Sequence, residues 1–454
     1  MGRTRVCMRT GRVAGLIVFL FTIGTALAGA QPAGQPLGLD GPLRVEQAVE
    51  IALENSDLVG QAIGQENVAR GSYWSSYNGL LPSITADGGW QQGRQAVAGL
   101  LTDEGSSLWG GVTVRSSLIN VPAWRSISAQ KQAYTAASHD LNDARSAIEV
   151  SAREQFYASV ASIKLAEVEE RAVSVAREQL RRAETLFRLG SVARTDVLQA
   201  QVSLADAELI AIQRRNAVSA EHGSLAIVIG IDPRAEFEVD SALVVPERDP
   251  EGNVDAWVKQ ALARRPDVAA ARARLRAAEL GQSAARWLRL PTLGAQATWD
   301  KTKRDGDQKQ RDPFSGAWYT SPYDYTSEDW SVAIAATLTL FNGLQTEGEI
   351  ERAKGVELES RETLERLEKE VALEVRNLSL AIRDARESVN AARTGVTLAA
   401  ENLRLQQALY ESGAGTLLDW DDARLKLRRA EVASIQAEIA LLLSHARFQR
   451  ALGE

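Results

Sequence analysis

From Val375 the apolar residues fall at Leu378, Ile382, Ala385, Val389, Ala392, Val396, Ala399 and Leu403, in steps of three and four. That spacing keeps one helical face apolar turn after turn and is the seam of a coiled coil. The pattern recurs at Leu165, Val168, Ala172 and Val175, resumes at Leu186 and Leu189, and returns through Leu427, Ala430, Ala437, Leu441 and Phe448. A second seam, Ile163, Ala166, Val173, Leu180 and Phe187, lies beside the first. A helix with two seams packs against two neighbours, as in a sheet or closed tube of helices. The spacing predicts very long helices over about 122–189 and 343–412, each followed by another over about 195–229 and 417–452. At 1.5 Å per residue the longest would reach roughly 100 Å.

Elsewhere the period changes to two. Ile84, Ala86, Gly88 and Trp90 alternate with Ser83, Thr85, Asp87 and Gln91; Leu108, Val112, Val114 and Leu118 alternate with Thr113, Arg115 and Ser117. Leu293, Ala295, Ala297 and Trp299 stand against Thr292, Gln296, Thr298 and Asp300, and Trp330, Val332, Ile334, Ala336, Leu338 and Leu340 against Ser331, Thr337 and Thr339. Strands are therefore expected over about 83–92, 107–120, 292–300 and 329–341, with long polar loops over about 92–107 and 301–328. A sheet on a globular core and a membrane barrel with a wet interior both give such alternation. Strand lengths near ten residues suit a bilayer. Trp90, Trp109, Trp299 and Trp330 fall at the loop-proximal ends, where interfacial aromatics belong. The expected lipid face carries Ile84, Trp90, Val112, Val114, Leu293, Trp299, Ile334 and Leu338. Four strands cannot close, and an open edge in lipid leaves backbone groups unpaired, so the chain must oligomerise.

The chain is also written twice. Ala52 to Trp90 matches Ala261 to Trp299 at an offset of 209, and Phe187 to Gly230 matches Tyr410 to Gly453 at 223. Each unit runs short helix, medium helix, a Leu-Pro step (Leu81-Pro82; Leu290-Pro291), two strands and two long helices. The organisation expected is a signal peptide over 1–30, a first repeat over 31–240 and a second over 241–454. Arg3, Arg5, Arg9 and Arg12, the apolar run Val13 to Leu27 and the small residues Ala26, Ala28 and Ala30 support export. The single cysteine, Cys7, lies in that segment, which leaves no disulfide and no thiol chemistry for the rest. A net charge of −7 argues against nucleic acid as a partner.

These features together resemble the TolC family of outer-membrane efflux and secretion channels, over essentially the whole exported chain. The most specific residues are the two turns, Leu189-Gly190-Ser191-Val192-Ala193-Arg194-Thr195-Asp196 and Tyr410-Glu411-Ser412-Gly413-Ala414-Gly415-Thr416-Leu417-Leu418-Asp419, followed by Asp422-Ala423. The resemblance implies a mainly α fold with membrane β: a homotrimer whose twelve-strand β-barrel is continuous with a twelve-helix α-barrel. It implies passive exit for substrates brought by an inner-membrane pump and a periplasmic adaptor, in efflux or type I secretion. Asp419 and Asp422 match the family's constriction carboxylates. Tyr410 and Asp196 match residues that hold the closed tip, and Gly190, Ser191, Val192, Gly413, Ala414 and Gly415 form the docking turns. The family's latch arginine falls at Gly415, with Arg194 as a substitute candidate.

The alternative is a periplasmic coiled-coil scaffold or adaptor with a small β-domain. His139, His222 and His445 have no cysteine or carboxylate cluster beside them and suit polar helix positions rather than a metal site. Glu/Arg runs such as Glu362 to Glu370 suit solvated helix faces. No catalytic constellation stands out, so neither an enzyme nor a cofactor is expected.

Overall fold

The computed structural model describes residues 41–97, 101–246, 252–312 and 314–454; the expected signal segment and Cys7 lie outside the described residues. In chain order the first half contains α1 (Val45–Asn55), α2 (Asp57–Ser75), β1 (Ser83–Val97), β2 (Leu101–Ile119), α3 (Val121–Arg188) and α4 (Arg194–Val228). The second half repeats the order with α5 (Val254–Arg264), α6 (Pro266–Arg286), β3 (Thr292–Arg311), β4 (Trp318–Thr337), α7 (Gln345–Glu411) and α8 (Leu417–Leu452). Each medium helix ends in a single 3-10 turn just before the Leu-Pro step. There the proline has no N–H to continue the ladder. Asn120 caps α3 by accepting from the Ala123 amide at 3.1 Å.

Two equivalent cores hold the short helices to the long ones. Ala52, Ile148, Ala152, Leu225 and Ile229 lie in the first core, where α1 meets α3 and the end of α4. Their repeat equivalents Ala261, Val371, Val375, Phe448 and Leu452 lie in the second. Fully burying each larger apolar side chain contributes about 1.5–3 kcal/mol. The α7 seam is buried at Val375, Ile382, Ala385 and Val389. On α3 one residue of each seam, Val168 and Ala166, is buried, whereas Val175 and, at the helix end, Leu189 stay exposed.

The α3 helix joins the halves, packing on α6 along its upper part and on α8 along its lower part. The lateral order is therefore α2, α3, α6, α7 above and α4, α3, α8, α7 below. The sheet follows the same sequence, β1-β2-β3-β4, all antiparallel. One side of the molecule thus presents β1, α2 and α4, and the other β4 and α7. Both helical flanks carry exposed apolar residues at heptad steps. These are Leu198, Val202, Leu209 and Ile212 on α4, and Leu398, Leu405 and Leu409 on α7.

The strands outrun the expected lengths. They hold 15, 19, 20 and 20 residues, and most of the expected loops 92–107 and 301–328 are paired strand. Residues 91–97 and 301–311 lack apolar alternation, so the ladder there rests on backbone hydrogen bonds and polar cross-strand contacts. Ser106 donates to Asp305 at 2.7 Å, and Lys301 pairs with Glu328 at 3.5 Å. At the other end β4 stops at Thr337, so Leu338 and Leu340 are not strand residues. No described helix is long and apolar enough to cross a membrane.

Candidate functional site

The two turns at the far end of the long helices have one geometry. At the first, the Ser191 amide donates to Leu186 O at 2.9 Å and the Gly190 amide to Phe187 O at 3.0 Å. At the second, the Ala414 amide donates to Leu409 O at 2.9 Å and the Gly413 amide to Tyr410 O at 3.1 Å. This is a Schellman cap, which needs a left-handed residue after the helix. Gly190 and Gly413 supply it with φ of 74° and 77°. Gly190→Val and Gly413→Val should each destabilise the turn by about 1–3 kcal/mol. Limited proteolysis should then show new cleavage at the turn with the sheet still protected; an unchanged digest would show that the turn tolerates the residue.

Between the turns lies an 880 Å³ cavity walled by Ser191, Val192, Asp196, Tyr410, Gly413 and Gly415 among others. Tyr410 stacks on the buried Trp420, ring centroids 5.3 Å apart. Burial pushes its phenol above the ordinary tyrosine range, and the negative charges of Asp196 and Asp421 add to the effect. Ala414 is exposed on the second turn. A Cβ on Gly415 would sit 3.1 Å from the Leu409 side chain, closer than such atoms normally approach, because the turn folds back on α7. The arginine that reaches across from α3 is Arg182, which pairs with Glu411 of α7 at 3.0 Å.

The three acids at the start of α8 divide. Thr416 caps the helix, receiving the Asp419 amide at 3.2 Å and donating its hydroxyl to the Asp419 carboxylate at 2.6 Å. Asp422 pairs with Lys426 one turn on, at 2.8 Å. Asp419 and Asp422 are exposed and lie outside the cavity wall. Asp421 turns the other way, into the α3–α8 contact, where it accepts from Gln179 at 3.0 Å and faces Arg424 at 3.4 Å. Arg424 also donates to Gln179 at 2.7 Å, and burial lowers its pKa against the pull of Asp421. Deeper along the same contact Arg428 pairs with the buried Glu169 at 3.3 Å. Periodicity does not show this half-buried ladder. Its one sequence signal is Glu169, a charge between the apolar seam residues Ala166 and Val173.

At the opposite end the register sorts the sheet into two faces. Ile84 pairs with Val114, Ala86 with Val112, Val112 with Trp299, and Trp299 with Trp330. Trp90, Leu293 and Ile334 lie on that same apolar face by the strand alternation. The other face carries Thr85, Thr113, Thr298 and Ser331 in one row and Asp87, Gly111, Asp300 and Asp329 in the next. Trp109 belongs to this polar face, opposite Gly89, rather than with the other tryptophans. Both faces are open in the single chain: on the apolar face Ile334 is 68% exposed and Trp330 77%, and on the polar face Asp87, Asp300, Asp329 and Ser331 are exposed.

A family model described as outer membrane efflux protein matches residues 48–230 and 257–454, most of both halves. The chain belongs to the outer membrane efflux protein family. It is 26% identical over 281 residues to protein CyaE of Bordetella pertussis, across 58% of this chain and 55% of that protein. The chain therefore spans about half the length of that curated relative. Among solved structures it is similar to the Campylobacter jejuni CmeC outer membrane channel, with a TM-score of 0.74 and 17% identity over 90% of this chain and 85% of that one. The Vibrio cholerae outer membrane protein VceC gives 0.72 and 17% over 90% and 96%. The open state of the Neisseria gonorrhoeae MtrE outer membrane channel gives 0.71 and 21% over 90% and 89%. In this efflux family the fold is a helical barrel carrying a β-domain, built from tandem repeats, and belongs to channel proteins rather than enzymes. A scaffold whose sheet buries one face on a core does not fit strands open on both sides.

Proposed function

We propose that three copies of this chain form an outer-membrane channel that gives passive exit to substrates delivered by an inner-membrane pump and a periplasmic adaptor. The observation that carries the reading is the pair of unlike free edges. Each copy offers β1 with α2 and α4 on one side and β4 with α7 on the other. Joining one copy's first side to the next copy's second is a head-to-tail contact, which closes into a ring of three when successive copies are turned by a third of a revolution. Closure pairs every strand and places the apolar face against lipid, with the polar face around a wet lumen. The long helices then extend into the periplasm, and the cavity-forming turns face adaptor and pump. Crosslinking in intact outer membranes should give a three-chain product. A conducting monomer in detergent, or recovery in the soluble periplasm, would overturn the assembly.

Asp419 and Asp422 are the gate of this channel. Both are exposed on one face at the start of α8, and a threefold axis would bring three copies of each together. Carboxylates held that close draw cations into the constriction. Tyr410 and Asp196 hold the resting tip beside them, and Gly190 to Val192 with Gly413 to Gly415 form the docking turns. Single-channel recording should show a cation-selective wild type blocked by a multivalent cation from the tip side. Asp419→Asn/Asp422→Asn should lose both properties. Unchanged block and selectivity would leave the two acids as helix-capping and ion-pairing groups only.

A further inference from the structure

On the polar face of the sheet, glycines stand where side chains from other strands cross. A Cβ on Gly89 would meet the Trp109 indole at 3.0 Å. A Cβ on Gly105 would meet the Tyr323 hydroxyl at 2.5 Å and the Asp305 carbonyl oxygen at 2.6 Å. One on Gly306 would meet the Glu104 and Gly105 backbone at 2.6 Å and the Tyr323 hydroxyl at 2.8 Å, so close strand approach and the tyrosine both exclude a side chain there. A Cβ on Gly111 would collide with the Asp300 carboxylate. Gly89 pairs with Trp109, Gly105 with Gly306, Gly306 with Tyr323, and Gly111 with Asp300, all on one side of the pleat. The Trp109 indole lies along the wall over Gly89, a position with no side chain to displace it. Such slots occupy three of four successive rows from Gly111 toward the strand ends.

We propose that these glycine slots set the calibre of the channel's outer half, with Trp109 as its principal calibre-determining residue. This rests on the channel reading above, which puts the polar face around the lumen. With Gly89 filled, the indole has to leave the wall, and the free direction is the lumen. Three copies do so at one level, so the obstruction is a ring rather than a single bump. Pore size and lining groups decide which solutes pass a channel.

The test uses Thr113→Cys, on the polar face beyond the Trp109 row as seen from the outer strand ends. Whole cells are treated with a small and a bulky membrane-impermeant maleimide in four backgrounds: Gly89 intact, Gly89→Ala, Gly89→Val and Gly89→Val/Trp109→Ala. The small reagent should label all four alike, showing that each variant is assembled. The bulky reagent should slow about tenfold in Gly89→Val, and less in Gly89→Ala. It should regain the parental rate when Trp109 is also truncated. Parental bulky labelling in Gly89→Val, or a double variant as slow as the single, would overturn the calibre role. Failure of the small reagent to label the parent would instead overturn the wet lumen, and the proposal with it. If Gly89→Val does not assemble, Gly89→Ala decides by the same comparison.

Discussion

Lysine at Ile334 is expected to abolish the assembled channel, whereas lysine at the adjacent Ala333 is expected to leave it intact. Ile334 lies on the apolar face, opposite Ala295, in the band that also holds Val332 and Ala297. Ala333 lies on the other face, opposite Gln296, which pairs in turn with Arg115. A lysine facing mid-bilayer costs about 2–4 kcal/mol per chain, and a ring of three carries three of them. The same residue facing a wet lumen costs little. The measurement is the amount of heat-resistant trimer in purified outer membranes. Equal loss in both variants would show that the two faces do not meet different solvents, and equal survival would show that neither meets lipid.

The second large effect is expected in the α3–α8 contact. Arg428→Met leaves the Glu169 carboxylate buried without its cation. Glu169 is buried but Arg428 keeps part of its side chain in solvent, so breaking this side of the pair costs about 2–4 kcal/mol, below the full cost for a wholly buried pair. Glu169→Met/Arg428→Met removes both charges and should recover most of the loss, because two desolvation penalties disappear together. Hydrogen exchange reports this locally. Amides near the start of α8 should exchange about two to three powers of ten faster in the single variant and near the parental rate in the double. If the single variant exchanges like the parent, the Arg428 contact does not hold α8 to α3.

The helices were legible because a seam repeats over many turns and each repetition adds to the signal. A helix expected over about 343–412 is observed as Gln345–Glu411. Strand length was not legible, because alternation is visible only where the two faces meet different solvents. Past Trp90 and Trp299 both faces are polar, and the chain looks like loop although it stays in register to Val97 and Arg311. Trp109 departs from the interfacial band for a different reason: it shares the parity of Thr113 and Arg115, so the alternation itself turns it to the polar face, and the pairing adds that it stands opposite Gly89. At the tip the turns could be located from Gly190 and Gly413, but the partners of Asp421 could not. Gln179 is 242 residues away in sequence, and nothing local to either residue signals the contact.

The unlike edges of the molecule also have a genetic consequence. In a ring of three, each junction uses the left edge of one chain and the right edge of the next, so a lesion in one edge spoils one junction wherever that chain is incorporated. A cell making sound chains and chains with a ruined β4 edge in equal amounts, mixed at random, would build only about one ring in eight from sound chains alone. Edge lesions should therefore behave as dominant-negative alleles. Lesions that prevent a chain from folding at all should be recessive, since such chains never reach a ring.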